Sequence, residues 1–107
     1  MAALAAPLLV SLGGAAWADL ASPKYQVLQK NQAFNPGDLA VKRGETVQIV
    51  NDDDDLLHHA YVDSTTFRFD SGDQEPGAQV DIVFAVPGTF TVLCGIHPKM
   101  KLIVRVD

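Results

Sequence analysis

Hydrophobic and polar residues alternate along several short stretches of the chain, and residues that favour turns separate these stretches. Val47 and Ile49 lie on one face of the stretch 46–51, and Val80, Ile82 and Phe84 alternate with polar neighbours in the same way. A period of two is typical of strands with one buried face. The pattern predicts strands at residues 25–30, 39–41, 46–51, 60–62, 80–84, 89–94 and 101–106.

The segments between these stretches contain strong turn signals and no amphipathic helix. Asn35-Pro36-Gly37-Asp38 and Pro87-Gly88 each favour a turn. Residues 63–78 are polar and rich in glycine and proline, so we predict little regular structure there. Seven or eight short strands separated by turns predict an all-β fold, a Greek-key β-sandwich. Tyr61, Phe67 and Phe84 are expected in its core rather than as electron relays.

The N-terminal segment differs from the rest of the chain because it is apolar and small. The first 18 residues end in Ala16-Trp17-Ala18, a pattern that signal peptidase cleaves, directly before Asp19. No Lys or Arg precedes the apolar run, which is shorter than the roughly 20 residues of a membrane span. We predict a signal peptide at 1–18 and one domain at 19–107, hence a periplasmic or otherwise exported protein without stable membrane insertion. A retained lipid-facing anchor is the alternative.

The composition limits the partners of this domain. The chain has 13 Asp and Glu against 8 Lys and Arg, a net charge of −5. An acidic surface disfavours nucleic acid, because phosphates must be neutralised by Lys and Arg, but it does not exclude a cationic protein partner. We expect a monomer that binds no nucleic acid.

The chain has one cysteine, Cys94. Exported proteins usually pair their cysteines, so this thiol is an inert buried group, an intermolecular bridge or a metal ligand. Cys94, His97 and Met100 follow one another at a spacing of three, where one strand ends before the next begins. Gly95 is expected to let the backbone pass close to a metal. Two imidazoles and a thiolate in a plane with a weak axial Met form the blue-copper electron-transfer site. The missing imidazole is that of His58 or His59.

The segment 94–100 resembles the copper loop of the cupredoxins, the family of plastocyanin and amicyanin, with the short C-x-x-H-x-x-M spacing of amicyanin. The resemblance extends from about Phe34 to Val106. It implies a type 1 site that binds one copper per chain, as Cu(I) or Cu(II), through His58, Cys94, His97 and Met100. The further matches are Phe34-x-Pro36, Val41-x-x-Gly44-x-Thr46-Val47, Asn51-x-Asp53 before a histidine, and Pro87-Gly88.

Two features depart from the family pattern. The family usually has Asn after its first copper-binding histidine, and here the pair is His58-His59. Matching the pattern makes His58 the ligand, and ligation by His59 is the alternative. The run Asp52 to Asp55 is the second departure. It lacks the spacing and the glycine of a calcium loop, so we expect a solvated loop.

These features predict a small exported copper protein that carries single electrons between redox partners. No open substrate position and no acid–base pair are apparent, so no enzymatic activity is expected. The alternatives are a copper carrier that delivers the ion to an extracytoplasmic oxidase and a metal-free sandwich with a buried Cys94. The resemblance implies a c-type cytochrome or another oxidoreductase as partner. Leu56, Leu57, Ile96 and Pro98 predict an apolar rim around His97, suited to brief docking.

Overall fold

The computed structural model describes residues 23–107, so the predicted signal peptide at 1–18 lies outside the described residues. This part of the chain includes no helix of the length and apolar character that a membrane span needs. Residues 23–107 form nine strands: β1 (Tyr25–Lys30), β2 (Ala33–Asn35), β3 (Asp38–Val41), β4 (Glu45–Asn51), β5 (His58–Asp63), β6 (Arg68–Gln74), β7 (Gln79–Phe84), β8 (Gly88–Leu93) and β9 (Lys101–Val106).

The strands form two sheets, one with the order β2-β1-β4-β7 and the other with the order β3-β9-β8-β5-β6. The pairs β1–β4 and β3–β9 are parallel, and the remaining neighbours are antiparallel. The predicted all-β Greek-key sandwich is confirmed, and β2 and β6 are strands in addition to the seven ranges that the sequence pattern indicates.

The core lies between the two sheets and follows the predicted alternation. Val47 and Ile49 of β4 and Leu102 and Val104 of β9 are all 0% exposed. Burying an aliphatic side chain of this kind stabilises a fold by about 1.5–3 kcal/mol. The hydrophobic period of two is therefore what sets the register of both sheets against the core.

Two of the three aromatic residues expected in the core are found there. Phe84 is fully buried, and Phe67 packs against it with ring centroids 5.5 Å apart. Tyr61 does not belong to the core, which corrects the prediction. It alternates with Ala60 and Val62, which face inward, so its ring lies on the outer face of β5.

Two strands form where the sequence pattern predicts none. β2 is only three residues long, and β6 lies within the polar stretch 63–78. Because β6 is an edge strand, it has one neighbour and carries charged side chains, so its alternation is weak. The register of β6 against β5 shifts at Ala60. The Ala60 N–H donates to Ser71 Oγ at 2.9 Å, and the next residue of β6, Gly72, has a φ of 66°. The expectation of little regular structure is wrong for 68–74.

Candidate metal centre

Three predicted ligands meet at one end of the sandwich. Candidate donor atoms of His58, Cys94 and His97 all lie within 4.8 Å of one another. Cys94 Sγ is 4.0 Å from His58 Nδ1 and 3.8 Å from His97 Nδ1. Within residues 23–107, this is the only group of three or more His, Cys, Asp or Glu side chains with such an arrangement.

These separations fit a metal ion in the plane of the three donors. With the bond lengths of zinc sites, about 2.0 Å to nitrogen and 2.3 Å to sulfur, a planar trigonal arrangement separates the two atoms by about 3.7 Å. The observed sulfur–nitrogen distances of 3.8 and 4.0 Å are close to that value. One thiolate sulfur and two imidazole nitrogens are also the equatorial donor set of type 1 copper.

His58 is the first residue of β5 and is 0% exposed. Its Nε2 lies 2.5 Å from Asp53 Oδ2. An ionised carboxylate only accepts hydrogen bonds, so we assign the hydrogen to Nε2. Nδ1 then keeps its lone pair and faces Cys94, which is the orientation that metal binding requires.

Asp53 differs from its neighbours in the acidic run, because it is only 9% exposed. Its Oδ1 accepts the Asn31 N–H at 3.1 Å, and its own N–H donates to Asn51 Oδ1 at 3.0 Å. Burial alone would raise the pKa of Asp53, but the hydrogen bonds from His58 and Asn31 outweigh burial and lower this pKa. The expectation of a solvated loop is therefore wrong for Asp53, whereas Asp52, Asp54 and Asp55 are exposed.

Buried amide side chains hold the segment that carries Asp53. Asn51 Nδ2 donates to the carbonyl oxygens of Leu56, at 2.8 Å, and Gln74, at 2.9 Å. Gln29 Nε2 donates to Gln74 Oε1 at 2.9 Å. Asn51 is part of the family match Asn51-x-Asp53, whereas the sequence pattern assigns no role to Gln29 and Gln74. Gln29 and Asn51 occupy the buried phase of β1 and β4. A polar residue at a core-facing position is the signal that reveals them.

Cys94 and Met100 are both buried, each 1% exposed, and His97 is half-buried. The Met100 N–H donates to the His97 carbonyl at 3.0 Å, which closes the loop between β8 and β9 into a turn. Met100 also belongs to the buried hydrophobic cluster. Its burial therefore suits both an axial ligand and a core residue.

The half-buried edge of His97 faces a groove of about 280 Å³. Ile96 in this groove is 39% exposed, and Pro98, the other apolar residue of the predicted rim that lines it, is exposed as well. Leu56 and Leu57 are half-buried and do not line the groove. The lining residues are Gln32, Ile96, His97, Pro98 and Lys99.

His59 faces away from the cluster. Its Nε2 lies 2.6 Å from Asp70 Oδ1, and its ring covers Gly95. A Cβ built on Gly95 would come within 2.6 Å of His59 Nδ1. The glycine therefore makes room for the His59 ring, whereas the sequence pattern predicts only that Gly95 lets the backbone pass close to a metal. The structure brings His58, and not His59, next to Cys94, while ligation by His58 stays a prediction.

The family model of the cupredoxin-like domain matches residues 1–104. The chain therefore belongs to the cupredoxin family, and its cofactor is copper, with one ion fitting the His58, Cys94 and His97 cluster.

Individual relatives include the copper-resistant cuproprotein CopI of Rubrivivax gelatinosus, which is 33% identical over 69 residues. The match covers 64% of this chain and 42% of CopI, so the chain spans less than half the length of that relative.

Two solved structures show the same fold. The Cu-containing nitrite reductase NirK from Thermus scotoductus SA-01 superposes with a TM-score of 0.72 at 32% identity, over 80% of this chain and 22% of NirK. A mutant of amicyanin in the Cu(I) form superposes with a TM-score of 0.72 at 20% identity, over 80% of this chain and 84% of amicyanin. At that identity the likeness to amicyanin shows the fold.

Proposed function

We propose that this chain carries single electrons between redox proteins through one type 1 copper ion. His58, Cys94 and His97 would hold the copper as the three main donors, and Met100 would be the weak fourth ligand. The observation that supports this proposal most directly is the cluster of Cys94 Sγ with one ring nitrogen each of His58 and His97, all within 4.8 Å of one another. When bound, copper supplies the one-electron change between Cu(I) and Cu(II), and the chain supplies fixed ligands.

The burial of the site favours retention of the ion. His58 and Cys94 are almost inaccessible, and Asp53 holds the far nitrogen of His58. Only His97 has an accessible edge, and electrons cross such an edge without any change of ligands. Copper transfer to another protein requires ligand exchange, which buried donors oppose.

The second candidate function is copper carriage to an extracytoplasmic oxidase. The likeness to CopI, whose name describes a copper-resistant cuproprotein, favours it. Handover through this site would have to begin at His97, the accessible member of the cluster.

We propose no catalytic activity for this domain. A catalytic metal site keeps an open coordination position for substrate, and the four proposed ligands His58, Cys94, His97 and Met100 would leave none. The likeness to NirK covers only 22% of that enzyme, so its nitrite reductase activity is not carried over to this chain.

Partners would dock at the His97 groove. Ile96 and Pro98 give this surface an apolar character, which suits small, transient interfaces. We propose a c-type cytochrome or another oxidoreductase outside the cytoplasm as the partner of an exported monomer. The acidic composition of the chain does not exclude a partner with a cationic surface, although the charged side chain in the groove itself is that of Lys99.

The visible absorption spectrum of the copper-loaded protein tests the ligand set. We expect intense thiolate-to-Cu(II) charge-transfer absorption that His58→Ala abolishes and His59→Asn preserves. Stoichiometric Cu(II) binding without strong colour would overturn the type 1 assignment. If His59→Ala loses the colour and His58→Ala keeps it, the copper ligand is His59 and not His58.

Two rates separate the electron carrier from the copper carrier. Electron self-exchange is measured by NMR line broadening in mixtures of the Cu(I) and Cu(II) forms, and copper loss by transfer to a chelator. Fast self-exchange with slow copper loss supports electron transfer. Rapid copper transfer with slow self-exchange would replace it with copper carriage.

A further inference from the structure

His59 and Gly95 face each other beside the copper site. β5 and β8 are antiparallel and pair at Tyr61 and Leu93. Continuing this register by two residues sets His59 opposite Gly95. Facing residues of an antiparallel pair have Cβ positions about 4.5–5.5 Å apart, so a ring at one position restricts the size of the other side chain.

The His59 ring occupies the space that a side chain at position 95 would need. A Cβ on Gly95 would lie 2.6 Å from His59 Nδ1 and 3.1 Å from His59 Cε1. The first distance is shorter than real Cβ contacts allow, so the ring lies directly on the backbone of the residue that follows Cys94.

Asp70 and Tyr61 fix the ring in this place. Asp70 Oδ1 lies 2.6 Å from His59 Nε2 and also accepts the Gly72 N–H at 2.8 Å. The Tyr61 ring lies beside the imidazole, with centroids 5.5 Å apart. The register shift between β5 and β6 sets Asp70 opposite Tyr61. The irregular part of β6 therefore has a local consequence, because it brings an anchoring carboxylate to His59.

We propose that His59 and Asp70 form a clamp on the copper loop. The ring, anchored by Asp70, packs on Gly95 and holds Cys94 and the loop 95–100 in place. His59 is thus a positioning residue that acts through Gly95 and does not bind copper. The clamp slows loop opening and with it the release of copper. This inference rests on the proposed ligation by Cys94.

Copper release from the full-length, copper-loaded protein to a Cu(I) chelator tests the clamp. Gly95→Ala is expected to speed release roughly tenfold, the size of effect usual for groups that orient metal ligands. Gly37→Ala is the matched control, because a Cβ at Gly37 meets nothing closer than 3.6 Å. Its release rate should equal that of the wild type.

The decisive variant is the double substitution His59→Ala/Gly95→Ala. Removing the ring removes the clamp and also makes room for the new Cβ. His59→Ala should therefore release copper faster than the wild type, and Gly95→Ala should add little in that background. A Gly95→Ala chain that folds only together with His59→Ala supports the clamp equally. An equal effect of Gly95→Ala with and without His59, or no effect in either background, would overturn it.

Amide hydrogen exchange in the metal-free protein gives a readout that does not depend on copper. Exchange at Gly95 and Ile96 should be faster in His59→Ala and in Asp70→Ala than in the wild type. Asp63→Ala is the control, since Asp63 forms an exposed ion pair with Arg68 on the same strand pair. Unchanged exchange in Asp70→Ala would remove Asp70 from the clamp. A colourless wild type would refute the copper ligands, whereas a coloured wild type with uncoupled variants would refute only the clamp.

Discussion

Residues 52–55 are four consecutive aspartates, yet only Asp53 contacts His58. The difference comes from the β1–β2 turn, where the Asn31 N–H binds Asp53 Oδ1, and from Asn51, which binds its backbone. The negative charge on Asp53 therefore acts on a proposed copper ligand across one imidazole ring.

Asp53→Asn should raise the reduction potential of the copper. A nearby negative charge stabilises Cu(II) more than Cu(I), so its loss favours the reduced ion. One unit charge at roughly 6 Å with an effective dielectric constant of about 20 corresponds to a shift on the order of 100 mV. Voltammetry measures the shift, and Asp54→Asn, which changes an exposed carboxylate, is the control. Equal potentials in both variants would contradict a special role for Asp53.

Met100→Gln distinguishes an axial ligand from a core residue. The amide oxygen is a harder donor than the thioether, so it should lower the reduction potential while the thiolate band survives. Leu102→Gln buries an amide two residues further on, at a site that is 0% exposed, and should reduce only the stability. If Met100→Gln lowers the melting temperature and leaves the potential unchanged, Met100 is not a ligand.

The sequence predicts the local part of the site better than the part that depends on distant contacts. Cys94 and His97 share one loop, so their spacing alone brings them together. His58 has the same phase as Ala60 and Val62, which is a sequence signal for the inward face of β5. By contrast, the contact between His59 and Gly95 depends on the pairing of β5 with β8, which no local pattern specifies.

At the scale of elements, Glu45 connects the starts of two strands. Its carboxylate accepts hydrogen bonds from Lys24 Nζ at 2.6 Å, from the Tyr25 hydroxyl at 3.1 Å and from the Lys42 N–H at 2.6 Å. The Lys24 ammonium first, and then the Lys42 N–H, lower the pKa of Glu45 to about 2. The parallel pair of β1 and β4 is thereby joined at one end by a single side chain.

Glu45→Gln should make the metal-free protein less sensitive to acid. A carboxyl whose pKa is lower in the folded state binds its proton more weakly when folded. It therefore stabilises the fold above its unfolded pKa, and this contribution is lost as the pH falls through the folded value. For Glu45 the loss occurs between about 4.5 and about 2. Denaturant unfolding at several pH values measures it.

The control for this experiment is Glu75→Gln, because Glu75 is exposed and forms no ion pair within residues 23–107. The difference in stability between wild type and Glu45→Gln should shrink as the pH falls from about 4.5 to about 2. A constant difference would show that folding does not lower the pKa of Glu45.

The strands themselves were predictable where one face is buried and the other polar, as in β4 and β9. β6 was not, because an edge strand with Asp70, Gly72 and Asp73 carries no regular alternation. Its position is set by pairing with β5 and by the Ser71 side chain, which replaces a backbone acceptor for Ala60. These are tertiary contacts, and the local sequence of β6, which is mostly polar, does not indicate them.

At the scale of the whole molecule, the metal cluster and the aromatic cluster lie at opposite ends of the sandwich. The first residue of β4, Glu45, is paired with Phe84. The last residue of β4, Asn51, donates to the Leu56 carbonyl in the loop that precedes His58. Phe67 and Phe90 complete the aromatic end, with ring centroids 5.5 Å apart. A strand of seven residues, which spans roughly 20 Å, separates the two ends.

Phe84→Ala should lower stability without changing the metal site. Removing a fully buried phenylalanine costs about 3–5 kcal/mol in comparable cores. Because Phe84 lies at the end remote from Cys94, the reduction potential and the absorption spectrum should stay as in the wild type. Thermal unfolding and voltammetry on the same preparation check both statements. A shifted potential would show that the two ends are coupled.

Both ends of the described chain lie at the aromatic end. Lys24 binds Glu45 at the start of β4, and the Asp107 N–H and carbonyl bind Val41 and Arg43. A tether attached through Pro23 or Asp107 would therefore hold the protein with His97 facing outward. Molecules coupled to an electrode through Asp107 would form an oriented film that exposes the metal side to solution. Such a film would exchange electrons with dissolved proteins while the bulk of the sandwich separates copper from the electrode.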